Sequence, residues 1–211
     1  MVEIAPPPPK RLPVKPVLYS IDKNKCLVRI FDPTKHNTNA LSFRYYGALE
    51  RFDNQQYSRD APANDEERGI YYAGFTLSCC LVEVFGDKRT IEVGNYCVAL
   101  VELKRPLSLL DLCGTPAIAN GTVVALSSVS ERDISQSWSR YFYDNYDTYT
   151  KVDGIIYHNL TFPVKSLWQA SNPHRGRVIL TSLATRLGCQ WVFDFGVLGS
   201  RQGEQQLPQP N

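Results

Sequence analysis

An excess of charge of either sign is missing from this chain. Its 211 residues carry 23 Lys and Arg against 21 Asp and Glu, a formal net charge of +2. That balance leaves no basic footprint for direct binding of nucleic acid or of an anionic membrane surface. Long apolar runs are missing too. None approaches the roughly 20 residues of a membrane helix, so no span is expected. Absent as well are a G-x-x-x-x-G-K-[ST] phosphate loop, a G-x-G-x-x-G turn after a strand, an H-E-x-x-H pair, an EF-hand loop and a G-x-S-x-G elbow. These absences argue against the enzyme classes built on those devices. The three histidines, His36, His158 and His174, have no metal-ligand spacing. The six cysteines (Cys26, Cys79, Cys80, Cys97, Cys113 and Cys189) match neither a zinc pattern nor C-x-x-C. No metal is therefore expected.

What is present suffices for one domain with a real core, since 43% of the residues are apolar. Residues 1–17 hold six of the 14 prolines, and Pro6 to Pro9 favour a short polyproline II stretch. The start lacks the apolar h-region of a signal peptide, so the expectation is a cytoplasmic protein with reduced thiols. In that setting the Asn-x-Thr sequons at Asn120 and Asn159 carry no meaning. The expected division is a proline-rich tail over 1–20, a folded domain over 21–198 and a polar tail over 199–211.

Local patterns predict strands at Cys26–Phe31, Gly69–Ala73, Tyr96–Leu103, Ile155–Tyr157, Arg177–Leu183 and Trp191–Phe195. Thr76 is placed to cap a helix from Leu77 to Phe85, with Leu77, Cys80, Leu81 and Val84 on one face. Thr115 caps a second, with Pro116 at its first position. Residues 131–146 repeat Ile134, Trp138, Tyr141, Phe142 and Tyr146 at helical spacing. Residues 53–68 are polar, without period, and read as a long loop. The intermixed elements show no βαβ repeat, which favours an α+β fold with a mixed or antiparallel sheet flanked by helices.

Three constellations carry chemical interest. In Phe43-Arg44-Tyr45-Tyr46-Gly47-Ala48-Leu49-Glu50-Arg51-Phe52-Asp53, two arginines suit phosphate oxygens and the tyrosines suit a flat ring. The same segment also reads as an ordinary strand with a charged rim. In the second, Tyr72 on a short strand precedes Thr76, Ser78 and a helix with a lone Glu83 among apolar residues. A carboxylate there is either partnered and functional or a helix-edge residue reaching water. In the third, the strand Asp153-Gly154-Ile155-Ile156-Tyr157 emerges into His158 and Asn159. That is either a ligand contact or a strand end entering a loop.

Taken in order, the three segments resemble the RES domain family, named for its arginine, glutamate and serine. Gly47 with Arg51-Phe52-Asp53 is similar to the family's first motif. Tyr72, Thr76, Ser78 and Glu83 resemble the second, and Asp153-Gly154 with Tyr157 and Asn159 the third. The likeness spans about residues 26–185. Asn159 stands where the family has its serine. Arg44 and Arg51 compete for the arginine role, and Phe52-Asp53 after Arg51 favours Arg51. The 53–68 loop then lies between the first two motifs.

The resemblance implies an ADP-ribosyltransferase-like fold and a toxin that degrades NAD at the nicotinamide–ribose bond, with phosphate or water as acceptor. NAD is then a substrate, and no cofactor is implied. Arg51, Tyr72, Glu83 and Asn159 take the catalytic positions. Arg44, Tyr46, Ser78, Tyr157 and His158 are the implied substrate contacts. A helix-turn-helix antitoxin is the partner expected by analogy, and a homo-oligomer is left open. Two alternatives stand beside this: an ADP-ribosyltransferase acting on a macromolecule, and a silent NAD-binding module, for which Asn159 is the argument.

Overall fold

A computed structural model describes residues 4–8, 10, 15–85, 90–145, 148–149, 152–158, 176–181 and 195–197, the last two segments as backbone only. In chain order the strands are β1 (Leu18–Ile21), β2 (Cys26–Phe31), β3 (Tyr46–Gly47), β4 (Ala63–Asn64), β5 (Ile70–Gly74), β6 (Cys97–Leu103), β7 (Leu107–Asp111), β8 (Gly154–His158), β9 (Gly176–Thr181) and β10 (Phe195–Val197). The helices are α1 (Leu77–Phe85), α2 (Thr115–Ala119) and α3 (Arg132–Asp144), with a 3₁₀ turn at Val124–Ser127. This is the α+β fold expected. Among the described residues no helix is long and apolar enough to cross a membrane.

Eight strands form one sheet in the order β1-β7-β8-β9-β5-β2-β6-β10, and β3 pairs with β4 in a separate two-stranded ribbon. Every neighbour in the large sheet is antiparallel except β7 and β8. Period-2 alternation divides the side chains between two cores. Leu27, Tyr71, Ala73, Val101, Leu109 and Ile156 fill one face. Ile70, Leu110, Ile155 and Tyr157 fill the other, together with Ala117 of α2 and Trp138 and Phe142 of α3. Each large side chain so buried stabilises by roughly 1.5–3 kcal/mol before entropy is counted.

The structure departs from the sequence expectation in three places: two strands, β1 and β7, and the cap of α2. β1 begins at Leu18, and Ile4 is buried in the α3 core. The Trp138 indole N–H donates to the Ala5 carbonyl at 3.0 Å, so part of the proline-rich tail lies against the domain. β7 was not anticipated: it lies between β1 and β8, four of its five residues are buried, and its Leu109-Leu110 pair hides the alternation. α2 starts at Thr115, with Gly114 rather than Thr115 at the cap. Gly114 has φ 61°, a conformation glycine adopts without a Cβ penalty. Of the strand expected over Trp191–Phe195, residues 191–194 lie outside the described residues, and Phe195–Val197 form β10.

Candidate active site

The turn from β5 into α1 builds one wall of a cleft. The Thr76 hydroxyl accepts the Cys79 N–H at 3.2 Å, capping the helix as its sequence requires. α1 then lies close on the sheet, because Gly74 has no side chain in the way. A Cβ there would stand 2.8 Å from the Cys80 sulfur. Cys80 makes the contact and is buried, whereas Leu77, expected on the same inner face, is 43% exposed. The Cys80 thiol donates to the Val28 carbonyl. This close approach leaves a small, half-open cleft lined by Ile30, Tyr72, Ala73, Cys79, Cys80, Glu83 and Val84. Tyr72 and Glu83, the residues singled out in the second constellation, thus share one cleft.

The third segment reaches the same place through the sheet. Register across β9 aligns Tyr72 with Ile155 and Gly74 with Tyr157. The buried Tyr157 hydroxyl lies 3.4 Å from a Glu83 oxygen and donates to it. Asp153 serves a different end. It accepts from the Arg105 guanidinium at 2.6 Å and from the Ser108 N–H at 2.8 Å, which fastens β8 beside β7. His158 is half-buried at the strand end, and Asn159 lies outside the described residues.

The first segment is tied to both of the others. Asp53 is fully buried. Its carboxylate accepts from the Arg44 guanidinium at 2.7 Å, from the Tyr72 hydroxyl at 2.6 Å, and from the Leu49 and Glu50 N–H groups at 2.6 and 2.8 Å. Burial works against the Arg44 charge, but the adjoining Asp53 carboxylate prevails and raises its pKa above the ordinary arginine value. Next in the chain, the Phe52 ring packs on the Tyr157 ring with centroids 4.6 Å apart. The 49–53 turn therefore touches both tyrosines of the site.

That turn is also held from behind by α3. Arg132, Gln136, Ser139 and Arg140 donate to the carbonyls of Leu49, Glu50, Phe52 and Gln55 at 3.0, 2.9, 2.7 and 3.2 Å. Their spacing of i, i+4, i+7 and i+8 is one helical stripe. Arg51 extends from the turn and donates to the Val129 carbonyl. Among the described residues no carboxylate pairs with it, so the two arginines differ: Arg44 is neutralised in place and Arg51 is not.

The remaining candidates lie apart. Ser78 is exposed on the first turn of α1, and the Tyr46 side chain is exposed on β3, where its carbonyl accepts from Arg44. Neither lines the cleft. Sequence reading missed Asp53 as a hub and the polar stripe of α3. The long loop read over 53–68 gave no sign that Asp53, Asn54, Gln55, Asp65 and Arg68 in it are buried. Asp65 accepts from the N–H groups of Gln56, Glu67 and Arg68, and Arg68 reaches the Asn54 carbonyl and Asp144. The one available signal was the apolar stripe of 131–146, whose polar companions Gln136 and Ser139 fall on a face that needs partners.

The arrangement sets a half-buried carboxylate and Tyr72 in one cleft, with the buried Tyr157 hydroxyl reaching that carboxylate from the core. The turn that packs on both tyrosines carries a guanidinium that no carboxylate among the described residues pairs with. Among the described residues no three His, Cys, Asp or Glu side chains cluster as metal ligands would.

Comparison with known proteins bears on the whole arrangement. A comparison with curated proteins finds no match. Among solved structures the fold is similar to a chain of the M. tuberculosis MbcT-MbcA toxin-antitoxin complex. The two are 13% identical with a TM-score of 0.51, over 86% of this chain and 85% of that one. The model of the RES domain matches residues 27–167, a span holding all three segments of the cleft. On that match the chain belongs to the RES domain family.

Proposed function

We propose that this protein cleaves the nicotinamide–ribose bond of NAD, with phosphate or water as acceptor, and acts as the cytoplasmic toxin of a toxin–antitoxin pair. The observation that carries the reading is the meeting of Tyr72 and Glu83 in one cleft, with the Tyr157 hydroxyl on Glu83 and the arginine-bearing turn packed on both tyrosines. Family membership supports the substrate class. The likeness to a chain of a toxin–antitoxin complex supports an antitoxin partner, a helix-turn-helix protein by analogy.

The chemistry suits these groups. Departure of nicotinamide takes the positive charge off its ring and leaves an oxocarbenium-like ribose, as in glycoside hydrolysis. Glu83 supplies the negative charge that stabilises this centre and accepts from the ribose hydroxyls. Tyr157 orients Glu83. The Tyr72 ring walls the nicotinamide. Arg51, which no carboxylate among the described residues pairs with, takes the pyrophosphate or the incoming phosphate. Arg44, engaged by Asp53, supports the turn. Asn159 hydrogen-bonds ribose or phosphate through its amide in place of the family's serine.

The test is direct. Purified protein is incubated with NAD, with and without phosphate, and the products are identified. ADP-ribose 1-phosphate identifies a phosphorylase and free ADP-ribose a hydrolase. Label on protein or nucleic acid identifies a transferase instead, and intact NAD with measurable binding identifies a silent module.

A further inference from the structure

We infer that Asp53 is a positioning residue for this reaction: its one carboxylate fixes both the Tyr72 ring and the turn that carries Arg51. The inference rests on the NAD-cleaving reading and deepens it. Asp53 has no exposed surface, so it does not meet substrate. Its two oxygens instead collect four donors from three places. The Tyr72 hydroxyl on β5 donates to one oxygen at 2.6 Å. The Leu49 and Glu50 N–H groups of the turn donate to the other at 2.6 and 2.8 Å. One Arg44 nitrogen lies 2.7 Å from both.

Each donor has a consequence. Anchoring the phenol fixes the tilt of the Tyr72 ring where it lines the cleft, since a ring held at both Cβ and Oη cannot swing. Closing the turn on the same oxygens fixes the backbone on either side of Arg51. Arg44 supplies the charge that lets a carboxylate sit fully buried, and burial of an ion is tolerated only with such a partner. Wall and guanidinium are therefore set relative to each other through one group, and misplacement by about 1 Å costs on the order of 100-fold in rate.

The test uses the full chain with 3-fluorotyrosine at position 72, and the variants Asp53→Asn and Tyr72→Phe. Asn keeps the size of the side chain but replaces one acceptor with a donor. In Asp53→Asn the ¹⁹F resonance of residue 72 is expected to shift and broaden without NAD present. kcat is expected to fall about 100-fold, with a smaller change in KM. In the Tyr72→Phe background the same substitution is expected to cost several-fold less, because the anchor is already gone. Tyr72→Phe alone keeps the Arg44 pair and the turn, so it carries the test if Asp53→Asn does not fold: its kcat is expected to fall while its melting temperature stays near the parent's. An unmoved ¹⁹F resonance, independent effects in the double variant, or parental turnover by Tyr72→Phe overturns the inference. Should the parent consume no NAD, the ¹⁹F arm still decides whether Asp53 holds Tyr72, and the function alone is lost.

Discussion

Two carboxylates, Asp53, which holds the Tyr72 hydroxyl, and Glu83, which shares a cleft with Tyr72, live in opposite environments. Asp53 is sealed, charge-paired with Arg44 and saturated with donors. Glu83 is half-buried on a cleft wall, with the Tyr157 hydroxyl 3.4 Å away. A saturated buried carboxylate has no lone pair left for a reacting centre, so its contribution is geometry. A carboxylate at the edge of a cleft keeps its charge where a sugar can meet it. Burial separates the two roles although the residues differ by one methylene.

The largest break in that comparison is Glu83→Gln. The amide preserves size but removes the charge, and NAD turnover is expected to fall by about 10³-fold. Stability in urea is expected to stay within about 0.5 kcal/mol of the parent, as for a site that is not part of the core. Turnover at the parental rate would move the chemistry away from Glu83.

The arginines give the next contrast. Arg44→Ala leaves Asp53 buried without its cation, which is expected to cost about 3 kcal/mol in urea unfolding; three donors remain to soften the loss. Arg51→Ala removes no ion pair among the described residues. Its expected effect is a KM for NAD or phosphate raised about 10-fold at near-parental stability, the loss of one charge-assisted contact. If the two variants behave alike, the division between an arginine paired with a buried carboxylate and one bound only to a carbonyl among the described residues fails.

Much of this was legible in the residues. The Thr76 cap, the extent of α1 and the amphipathic run of α3 follow from local spacing. Tyr72 and Glu83 stand out in the sequence as a strand tyrosine and a lone carboxylate in an apolar helix, and the resemblance to the RES family adds Tyr157; that the three converge is visible only in the fold. Asp53 was not legible as a hub: nothing local distinguishes an aspartate that ends a turn from one that collects donors from β5 and from Arg44. β7 was missed because burial on both faces erases alternation. The inner face of α1 was read as Leu77, Cys80, Leu81 and Val84, yet Gly74 draws the helix down at Cys80 and Leu77 stays exposed. Long-range contacts decide such matters, and periodicity does not carry them.

Gly74→Ala tests the open side alone. The new methyl would press on the Cys80 sulfur, and overpacking of this kind costs about 1–3 kcal/mol. Because α1 carries Glu83 while Asp53 sits on another segment, turnover is expected to drop with Tyr72 still anchored. Cys80→Ala added to Gly74→Ala makes room and is expected to restore part of both stability and turnover. Failure to restore either would mean that the Gly74–Cys80 contact does not set the helix.

The smallest effect pits a sealed thiol against an open one. Burial, with Asp111 beside it, pushes the Cys113 thiol up from the ordinary 9.0 to about 12. Cys79 lines the cleft. At pH 8 iodoacetamide is expected to label Cys79 and spare Cys113, and NAD is expected to protect Cys79. Keeping Cys113 protonated contributes stability that is fully present below pH 9.0 and is lost as pH rises toward about 12. Cys113→Ala should flatten the fall in urea stability across that window, at the cost of a small cavity. Labelling of Cys113 at pH 8 in the folded protein, read by peptide mass, would show that this side of the molecule is not sealed, and the contrast drawn from Asp53 and Glu83 would lose its second instance.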